Sequence, residues 1–250
     1  MSDQLYHECH EVIAQGKAIL EDLQEWGFET VQPLPVNDTP PVVAEKMGPY
    51  RAGDVEVSAA PVIEISNTLD ELQKSLDGCS RCSLCQQRNH LVFGAGNPQA
   101  RVVLVGEAPG REEDLRGYPF VGEAGQLLEK ILLAMNLSRQ SVYICNVIKC
   151  RPPGNRDPKP DEIAACEPFL KQQLAIIKPE IIITLGRFAA QTLLKTTAPI
   201  GRLRGQWREY EGIALMPTFH PAYLLRNPAG KRPVWEDMKL VMQRLNNQAK

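Results

Sequence analysis

From about residue 100 onward, the hydrophobic pattern of this chain alternates between two kinds of apolar segment. Short continuous apolar runs predict buried strands at residues 101–106, 141–146, 180–185 and 213–217. Apolar residues at helical spacing predict helices at residues 125–135, 161–178, 187–194 and 234–246. Strands that alternate with helices are typical of a parallel sheet covered on both faces. We therefore expect an α/β fold, a three-layer α/β/α sandwich around a central four-stranded parallel sheet.

The first part of the chain has a different texture. Apolar residues at helical spacing over residues 4–26 predict an amphipathic helix, whereas six prolines within residues 31–66 indicate a flexible, disordered linker. A short helix is expected to begin near Thr68, where the sequence matches a capping box. We therefore divide the chain into an N-terminal amphipathic helix (1–30), a Pro-rich linker (31–66) and a main domain (67–250).

The charge is distributed unevenly between the two ends of the chain. Residues 1–78 carry 15 acidic and 4 basic side chains, whereas residues 79–250 carry 15 acidic and 24 basic side chains. A basic body favours a polyanionic partner such as DNA, and the alternative is that these surplus charges only maintain solubility. No apolar run reaches the length of a membrane span and no secretory signal is evident. We therefore expect a cytoplasmic protein without a membrane contact.

Polar residues gather at the carboxyl ends of the predicted strands, which is where parallel sheets bind ligands. The first strand runs into a turn with Glu107 and Glu113, whose carboxylates suit water placement or base catalysis, while Asp114 is expected to be solvated. The second strand ends at Asn146, whose amide offers a donor and an acceptor that match a pyrimidine edge. His220 follows the fourth strand and suits stabilisation of a developing anion or proton transfer.

The segment after His220 allows two interpretations. Leu224 and Leu225 stand directly before Arg226. If this segment enters a DNA helix, the leucines would unstack bases while the arginine holds a phosphate. If it instead begins a protein helix, both leucines would pack inward. The residues alone leave both interpretations open.

The chain contains seven cysteines, at positions 9, 79, 82, 85, 145, 150 and 166. Without an export signal, they are expected to be thiols or metal ligands rather than disulfides. Cys79-x-x-Cys82 has a chelating spacing, and together with Cys150 and Cys166 it would supply four thiolates to a structural zinc or an iron–sulfur cluster. The pair Cys82 and Cys85 has the same spacing, so the choice of pair stays open.

Several of these motifs together resemble family 4 uracil-DNA glycosylases, which are iron–sulfur enzymes of bacteria and archaea. The matching segments are Gly106–Gly110 (GEAPG), Pro119–Gly122 (PFVG), Asn146–Pro153 (NVIKCRPP) and His220–Pro228 (HPAYLLRNP). The resemblance covers residues 79 to about 245. It implies removal of uracil from single- and double-stranded DNA and a 4Fe-4S cluster. The implied cluster ligands are Cys79, Cys82, Cys150 and Cys166, with Cys85 as an extra thiol.

The resemblance also implies roles for individual residues. Glu107 and Glu113 match acids implicated in water placement and pocket shape, and His220 matches the histidine of a second motif. The implied substrate-binding residues are Ala108 through its backbone, Phe120 through stacking, Asn146 at the base edge and Asn155 near the DNA. The implied DNA-inserting residues are Leu224, Leu225 and Arg226.

The expected enzyme is a monofunctional glycosylase of base excision repair that leaves an abasic site, because no lysine is placed to form a Schiff base. We expect a monomer, with residues 1–30 as the candidate contact for a repair or replication protein. The alternative is a DNA-binding iron–sulfur or zinc module with a degenerate site, acting as a polymerase- or repair-associated accessory protein. The presence of Glu107, Phe120, Asn146 and His220 argues against a degenerate site.

Overall fold

The computed structural model describes residues 65–248. The helix predicted within residues 1–30 and the linker predicted over 31–66, apart from its last two residues, lie outside the described residues. Within the described part, no helix is both long and apolar enough to cross a membrane.

The described residues form a six-stranded sheet that carries helices. The strands are β1 (Ala95–Gly96), β2 (Val102–Gly106), β3 (Tyr143–Asn146), β4 (Ile181–Leu185), β5 (Arg208–Tyr210) and β6 (Ile213–Thr218). The helices are α1 (Leu69–Lys74), α2 (Arg111–Arg116), α3 (Glu123–Ala134), α4 (Pro160–Ile177), α5 (Arg187–Leu194), α6 (Ile200–Leu203), α7 (Pro221–Arg226) and α8 (Lys231–Gln248). Three 3₁₀ turns lie at Ser83–Gln86, Pro153–Asn155 and Pro228–Gly230.

The sheet has the order β1-β3-β2-β4-β6-β5. Its four central strands are parallel, and both edge strands are antiparallel to their neighbours. The predicted α/β class is confirmed, but the sheet has six strands rather than four. The two missed strands have two and three residues with exposed positions, so they are too short to show a hydrophobic period.

Burial explains why the central strands appear as continuous apolar runs. Every residue of β2, β3 and β4 is buried, as expected for parallel strands with both faces covered. One face packs through Val105, Ile182 and Leu215 against helices α4 and α5. The missed helices α2 and α6 have at most six residues, which is too short for a clear helical period. Helix α7 is the helix that the sequence offered as one of two interpretations of the segment after His220.

The parallel register brings distant parts of the chain to one edge of the sheet. Gly106 at the end of β2 pairs with Asn146 at the end of β3, and Leu185 pairs with Thr218 at the ends of β4 and β6. The residues that directly follow these strands therefore meet at the carboxyl edge.

Candidate functional site

A cleft of about 410 Å³ opens at this carboxyl edge. Eight residues predicted for the site line it: Glu107, Ala108, Glu113, Phe120, Asn146, Asn155, His220 and Arg226. The structure thus brings together side chains that lie more than a hundred positions apart in the sequence. Leu224 and Leu225 are not among the residues that line the cleft.

Asn146 is the most deeply placed polar group of the cleft. The residue is 2% exposed, and its Oδ1 is buried without a hydrogen-bond partner among the described residues. Gly106 makes this position possible, because a Cβ atom there would lie 2.3 Å from Asn146 Oδ1. A buried acceptor without a donor costs about 1–3 kcal/mol, so this oxygen is prepared to accept a hydrogen bond from a ligand.

Phe120 forms an aromatic wall of the cleft. Its ring stacks on the imidazole of His220, with the ring centroids 5.6 Å apart and the planes at 27°. The backbone φ of Phe120 is +53°, in the left-handed region that bulky residues seldom adopt. Glu113 Oε1 accepts hydrogen bonds from the N–H groups of Val121 (2.9 Å) and Gly122 (3.2 Å). The Glu113 carboxylate therefore holds the turn that carries Phe120.

His220 caps the first turn of helix α7. Its Nδ1 accepts a hydrogen bond from the backbone N–H of Ala222 at 3.1 Å. Burial, with a smaller contribution from Arg226, lowers the pKa of His220 to about 4, so the imidazole is neutral at pH 7. Because Nδ1 accepts, the proton of the neutral ring lies on Nε2. Gly186, which follows β4, lets the backbone pass close to His220, since a Cβ atom at Gly186 would lie 2.9 Å from His220 Cβ.

Glu107 follows β2 and lies partly buried in the cleft. Burial first, and then the charge of Asp157, raise the pKa of Glu107 to about 7, while Arg187 opposes the shift. Asp157 and Arg187 form an ion pair of 2.7 Å beside it. The sequence pattern does not identify Asp157 or Arg187 as partners of Glu107, although Asp157 stands two positions after the predicted site residue Asn155.

Two predicted DNA-contacting regions occupy the outer part of the site. Asn155 is exposed at the end of a 3₁₀ turn, and its Oδ1 accepts a hydrogen bond from Arg151 Nε at 2.7 Å. Leu224 and Leu225 lie in helix α7, where Leu224 is 1% exposed and Leu225 is 45% exposed. The expectation that both leucines project together is therefore corrected: Leu224 packs inward, and Leu225 faces solvent.

Five of the cysteines line one small cavity: Cys79, Cys82, Cys85, Cys150 and Cys166. Cys145 is buried in β3 away from this lining, and Cys9 lies outside the described residues. Within residues 65–248, no three thiol, imidazole or carboxylate groups converge closely enough to hold a single metal ion. The thiols surround the cavity, and the donor set is entirely sulfur, which suits an iron–sulfur cluster or a structural zinc.

Three thiols of this cysteine site, those of Cys82, Cys150 and Cys166, hold their protons more firmly than a free cysteine when they are unligated. Burial raises the pKa of Cys82 and Cys150, and it raises the pKa of Cys166 to about 12. Metal binding would have to displace these protons. Arg88 Nη1 donates a hydrogen bond to the sulfur of Cys150 at 3.2 Å, a contact that would also stabilise a thiolate.

Lys149 connects the cysteine site to the cleft. Its side chain is fully buried, and Nζ donates to the main-chain oxygen of Asn146 (2.8 Å) and to Gln173 Oε1 (2.6 Å). Its backbone N–H donates to the sulfur of Cys166 at 3.3 Å. Lys149 therefore contacts both the end of strand β3, at Asn146, and the Cys166 thiol of the cysteine site.

Asp114 provides a second connection between the two sites. The sequence suggested a solvated side chain, which is wrong, because Asp114 is 1% exposed. Its carboxylate accepts hydrogen bonds from the backbone N–H (2.9 Å) and side-chain amide (2.6 Å) of Asn89. Helix α2 is thereby tied to the segment that follows the first three cysteines of the site.

Comparison with known proteins agrees with this geometry. A family model described as the uracil DNA glycosylase superfamily matches residues 93–239. The chain is 42% identical over 190 residues to a type-4 uracil-DNA glycosylase of Saccharolobus solfataricus, covering 72% of this chain and 88% of that protein. It is 46% identical over 165 residues to that of Thermotoga maritima (64% and 86% covered) and 41% identical over 182 residues to that of Archaeoglobus fulgidus (70% and 92% covered). This chain therefore belongs to the uracil-DNA glycosylase superfamily and, within it, to the type-4 family.

Proposed function

We propose that this protein hydrolyses the N-glycosidic bond of uracil in single- and double-stranded DNA and leaves an abasic site. The observation that carries the proposal is the buried, unpartnered Oδ1 of Asn146 in a cleft walled by Phe120 and His220. Such a cleft suits a planar base that has been rotated out of the DNA stack. The uracil-DNA glycosylase activity of the relatives supports the same reaction here.

Asn146 accounts for the choice of uracil over cytosine. Uracil presents the N3–H donor beside the O4 acceptor, and these match the Oδ1 acceptor and Nδ2 donor of an asparagine amide. Cytosine presents an unprotonated N3 beside an amino group, so it would leave the buried Oδ1 without its partner at that position. Phe120 supplies the face on which the flipped base stacks, and the backbone at Ala108 lies beside it in the cleft lining.

His220 would stabilise the leaving group. When the bond between C1′ and N1 breaks, the electron pair stays with uracil, which becomes an anion, and the sugar becomes an oxocarbenium-like cation. The neutral imidazole can donate a hydrogen bond from Nε2 to the oxygen on which that charge develops. The Nδ1 contact with Ala222 fixes the ring for this task.

Glu107 would hold the water that completes the reaction. The water oxygen forms a bond to C1′, and its proton passes to the Glu107 carboxylate. A pKa of about 7 keeps a sizeable fraction of that carboxylate ionised at neutral pH. Among the described residues, those that line the cleft include no lysine, which supports a monofunctional reaction without a Schiff base.

The DNA itself would be held at the mouth of the cleft. Leu225 is an exposed aliphatic side chain of helix α7 and is suited to fill the gap that the flipped base leaves. Arg226 would contact a phosphate, and Asn155 lies near the same rim. Leu224 is buried, so its part would be to anchor the helix rather than to enter the DNA.

The cysteine site would hold a 4Fe-4S cluster through Cys79, Cys82, Cys150 and Cys166. When bound, the cluster supplies iron–thiolate bonds that brace the segment before β1 against the loop after β3 and helix α4. A structural zinc bound by the four thiolates at about 2.3 Å is the alternative occupant of this site. Iron and acid-labile sulfide analysis, with an absorption band near ~400 nm, tests this assignment.

We also propose that the protein acts as a cytoplasmic monomer and that residues 1–30 contact a repair or replication protein. The contrast between the acidic first 78 residues and the basic remainder supports a division into appendage and DNA-binding body. Sedimentation analysis of the full chain tests the monomer.

The glycosylase is tested with labelled oligonucleotides that contain one uracil, followed by alkaline cleavage of the abasic product. We expect strand scission at uracil in both single- and double-stranded DNA, and none at cytosine in matched controls. Tight DNA binding without scission, by protein with a full complement of iron, would favour the accessory DNA-binding module instead.

A further inference from the structure

The turn that carries Phe120 is held by side chains instead of by a helix or strand. This turn consists of four consecutive residues, Pro119–Gly122, between helices α2 and α3. Its N–H groups and its carbonyl groups bond to two different side chains. The N–H groups of Val121 and Gly122 donate to Glu113, and the carbonyls of Pro119 and Phe120 accept from Arg139. Two side chains of opposite charge therefore hold the turn from two sides.

Arg139 uses all three guanidinium nitrogens in this contact. Nη1 donates to the carbonyl of Pro119 at 3.0 Å, and Nη2 donates to the carbonyl of Phe120. Nε donates to Glu129 in helix α3 at 2.7 Å, so the helix sets the orientation of the guanidinium. The Arg139 side chain is 24% exposed, which partly shields its bonds to the turn from water, whereas the Glu129 side chain is 55% exposed. A lysine could not reproduce this planar fork.

Close packing confines the same turn. A Cβ atom on Gly125 would lie 1.9 Å from the carbonyl oxygen of Phe120, so helix α3 touches the turn directly. A Cβ atom on Gly106 would lie 2.8 Å from Cζ of the Phe120 ring. Phe120 keeps its left-handed backbone within this close packing, and loss of the hydrogen bonds that hold the turn would favour the ordinary conformation of an L-residue.

We propose that Arg139 is a positioning residue that, together with Glu113, keeps the Phe120 ring preformed as the platform for the flipped base. The inference rests on the proposed function, because the ring matters for catalysis only if a base stacks on it. Without Arg139, two carbonyls lose their donors, the turn relaxes and the ring leaves its place beside His220. The base would then be bound in a less reactive orientation.

The first test measures single-turnover uracil release by Arg139→Lys and Arg139→Gln. We expect both variants to be slower by on the order of 10-fold, with unchanged affinity for uracil-free DNA and unchanged iron content. Arg101→Lys is the matched control, because Arg101 also binds one carboxylate (Glu180) and one backbone carbonyl (Leu245), but it precedes β2 at the opposite edge of the sheet. Wild-type rates in both Arg139 variants would overturn the proposal.

The second test asks whether Arg139 acts through Phe120. In a Phe120→Leu background, Arg139→Gln should slow uracil release by no more than about 2-fold further, because the platform is already lost. Independent losses that multiply would mean that Arg139 acts elsewhere, and would also overturn the proposal.

A third measurement does not depend on activity. Hydrogen–deuterium exchange of peptides that cover residues 117–126 should be faster in Arg139→Gln than in the wild type or Arg101→Lys. The Pro119 and Phe120 carbonyls lose their donor in this variant, and the loosened turn should open the Val121 and Gly122 amides more often. Unchanged exchange would overturn the proposed restraint. If the wild type released no uracil, the proposed function would fail, while the exchange comparison would still decide the role of Arg139 in the turn.

Discussion

The cleft and the cysteine site are built from different kinds of structure. The cleft takes Glu107, Asn146 and His220 from the ends of parallel strands, so a buried sheet holds their backbones before any ligand arrives. The cysteine site takes three of its thiols from residues 79–85, where one 3₁₀ turn is the regular structure that the described chain provides. The cleft is preorganised by the fold, whereas the cysteine site depends more on whatever its thiols bind.

The two regions nevertheless touch. Asn146 and Cys150 belong to the same short segment, and the buried Lys149 contacts both the Asn146 carbonyl and the sulfur of Cys166. We expect substitutions in the cleft to lower the rate of uracil release without unfolding the protein. We expect substitutions at the cysteine site to lower the yield of folded protein. A substitution of the residue between them should show how strongly the two sites are coupled.

The largest effect is expected at the cysteine site. Cys150→Ser should lose most of its iron and most of its soluble folded protein, because a ligand that joins the loop after β3 to the rest of the site is removed. Iron analysis and circular dichroism measure both effects. Cys85→Ser is the matched control and should retain iron. Loss of iron in Cys85→Ser, with retention in Cys79→Ser, would instead place Cys85 among the ligands.

The second-largest effect is expected in the cleft. His220→Ala should slow single-turnover uracil release by about 10²–10³-fold, the typical cost of removing one donor to a developing anion. The midpoint of thermal unfolding and the iron content should stay at wild-type values, since the sheet holds the site. Unfolding that accompanies the loss of rate would contradict the difference drawn between the two regions.

Lys149→Met tests the connection. Removing the ammonium leaves the Asn146 carbonyl and Gln173 Oε1 without their buried donor, which should lower the free energy of unfolding by about 1–3 kcal/mol. Urea unfolding of the iron-loaded protein measures this change. Lys239→Met, which removes an exposed ion pair with Glu236, is the control and should change stability little.

The elevated pKa of Glu107 predicts two opposite responses to pH. If the ionised carboxylate takes the proton from water, the rate of uracil release should rise as the pH increases through about 7. The free energy of unfolding should fall as the pH rises from about 4.5 to about 7, because the folded protein binds more protons than the unfolded chain in this pH range. Glu107→Gln should flatten both profiles and raise the unfolding temperature at pH 8. Glu209→Gln, at an exposed position of β5, should leave both unchanged.

The smallest effect is expected at the rim. Leu225→Ala should slow uracil release from double-stranded DNA by a few-fold and leave single-stranded DNA nearly unaffected, because only a paired base leaves a gap in a duplex. The control is Leu240→Ala, because Leu240 is also exposed but lies on helix α8. Equal losses on both substrates would argue against a wedge.

Sequence patterns predicted the centre of this fold well. The four parallel strands lie within two residues of the predicted boundaries, and helices α4 and α5 lie within one. Buried parallel strands produce continuous apolar runs, and long helices repeat their period several times, so both leave a strong local pattern. Because strand ends meet at one edge, the sequence also indicated that Glu107, Asn146 and His220 would share a site.

Tertiary packing decided what local patterns do not encode. Asp114 is buried because Asn89 supplies its hydrogen bonds, Leu224 is buried because a short helix turns it inward, and Glu107 titrates near neutrality because of its burial and Asp157. Arg139 reaches the carbonyls of Pro119 and Phe120 across about twenty residues of sequence. Each of these features depends on which surfaces meet after the chain has folded, and such contacts have no periodicity that a sequence displays.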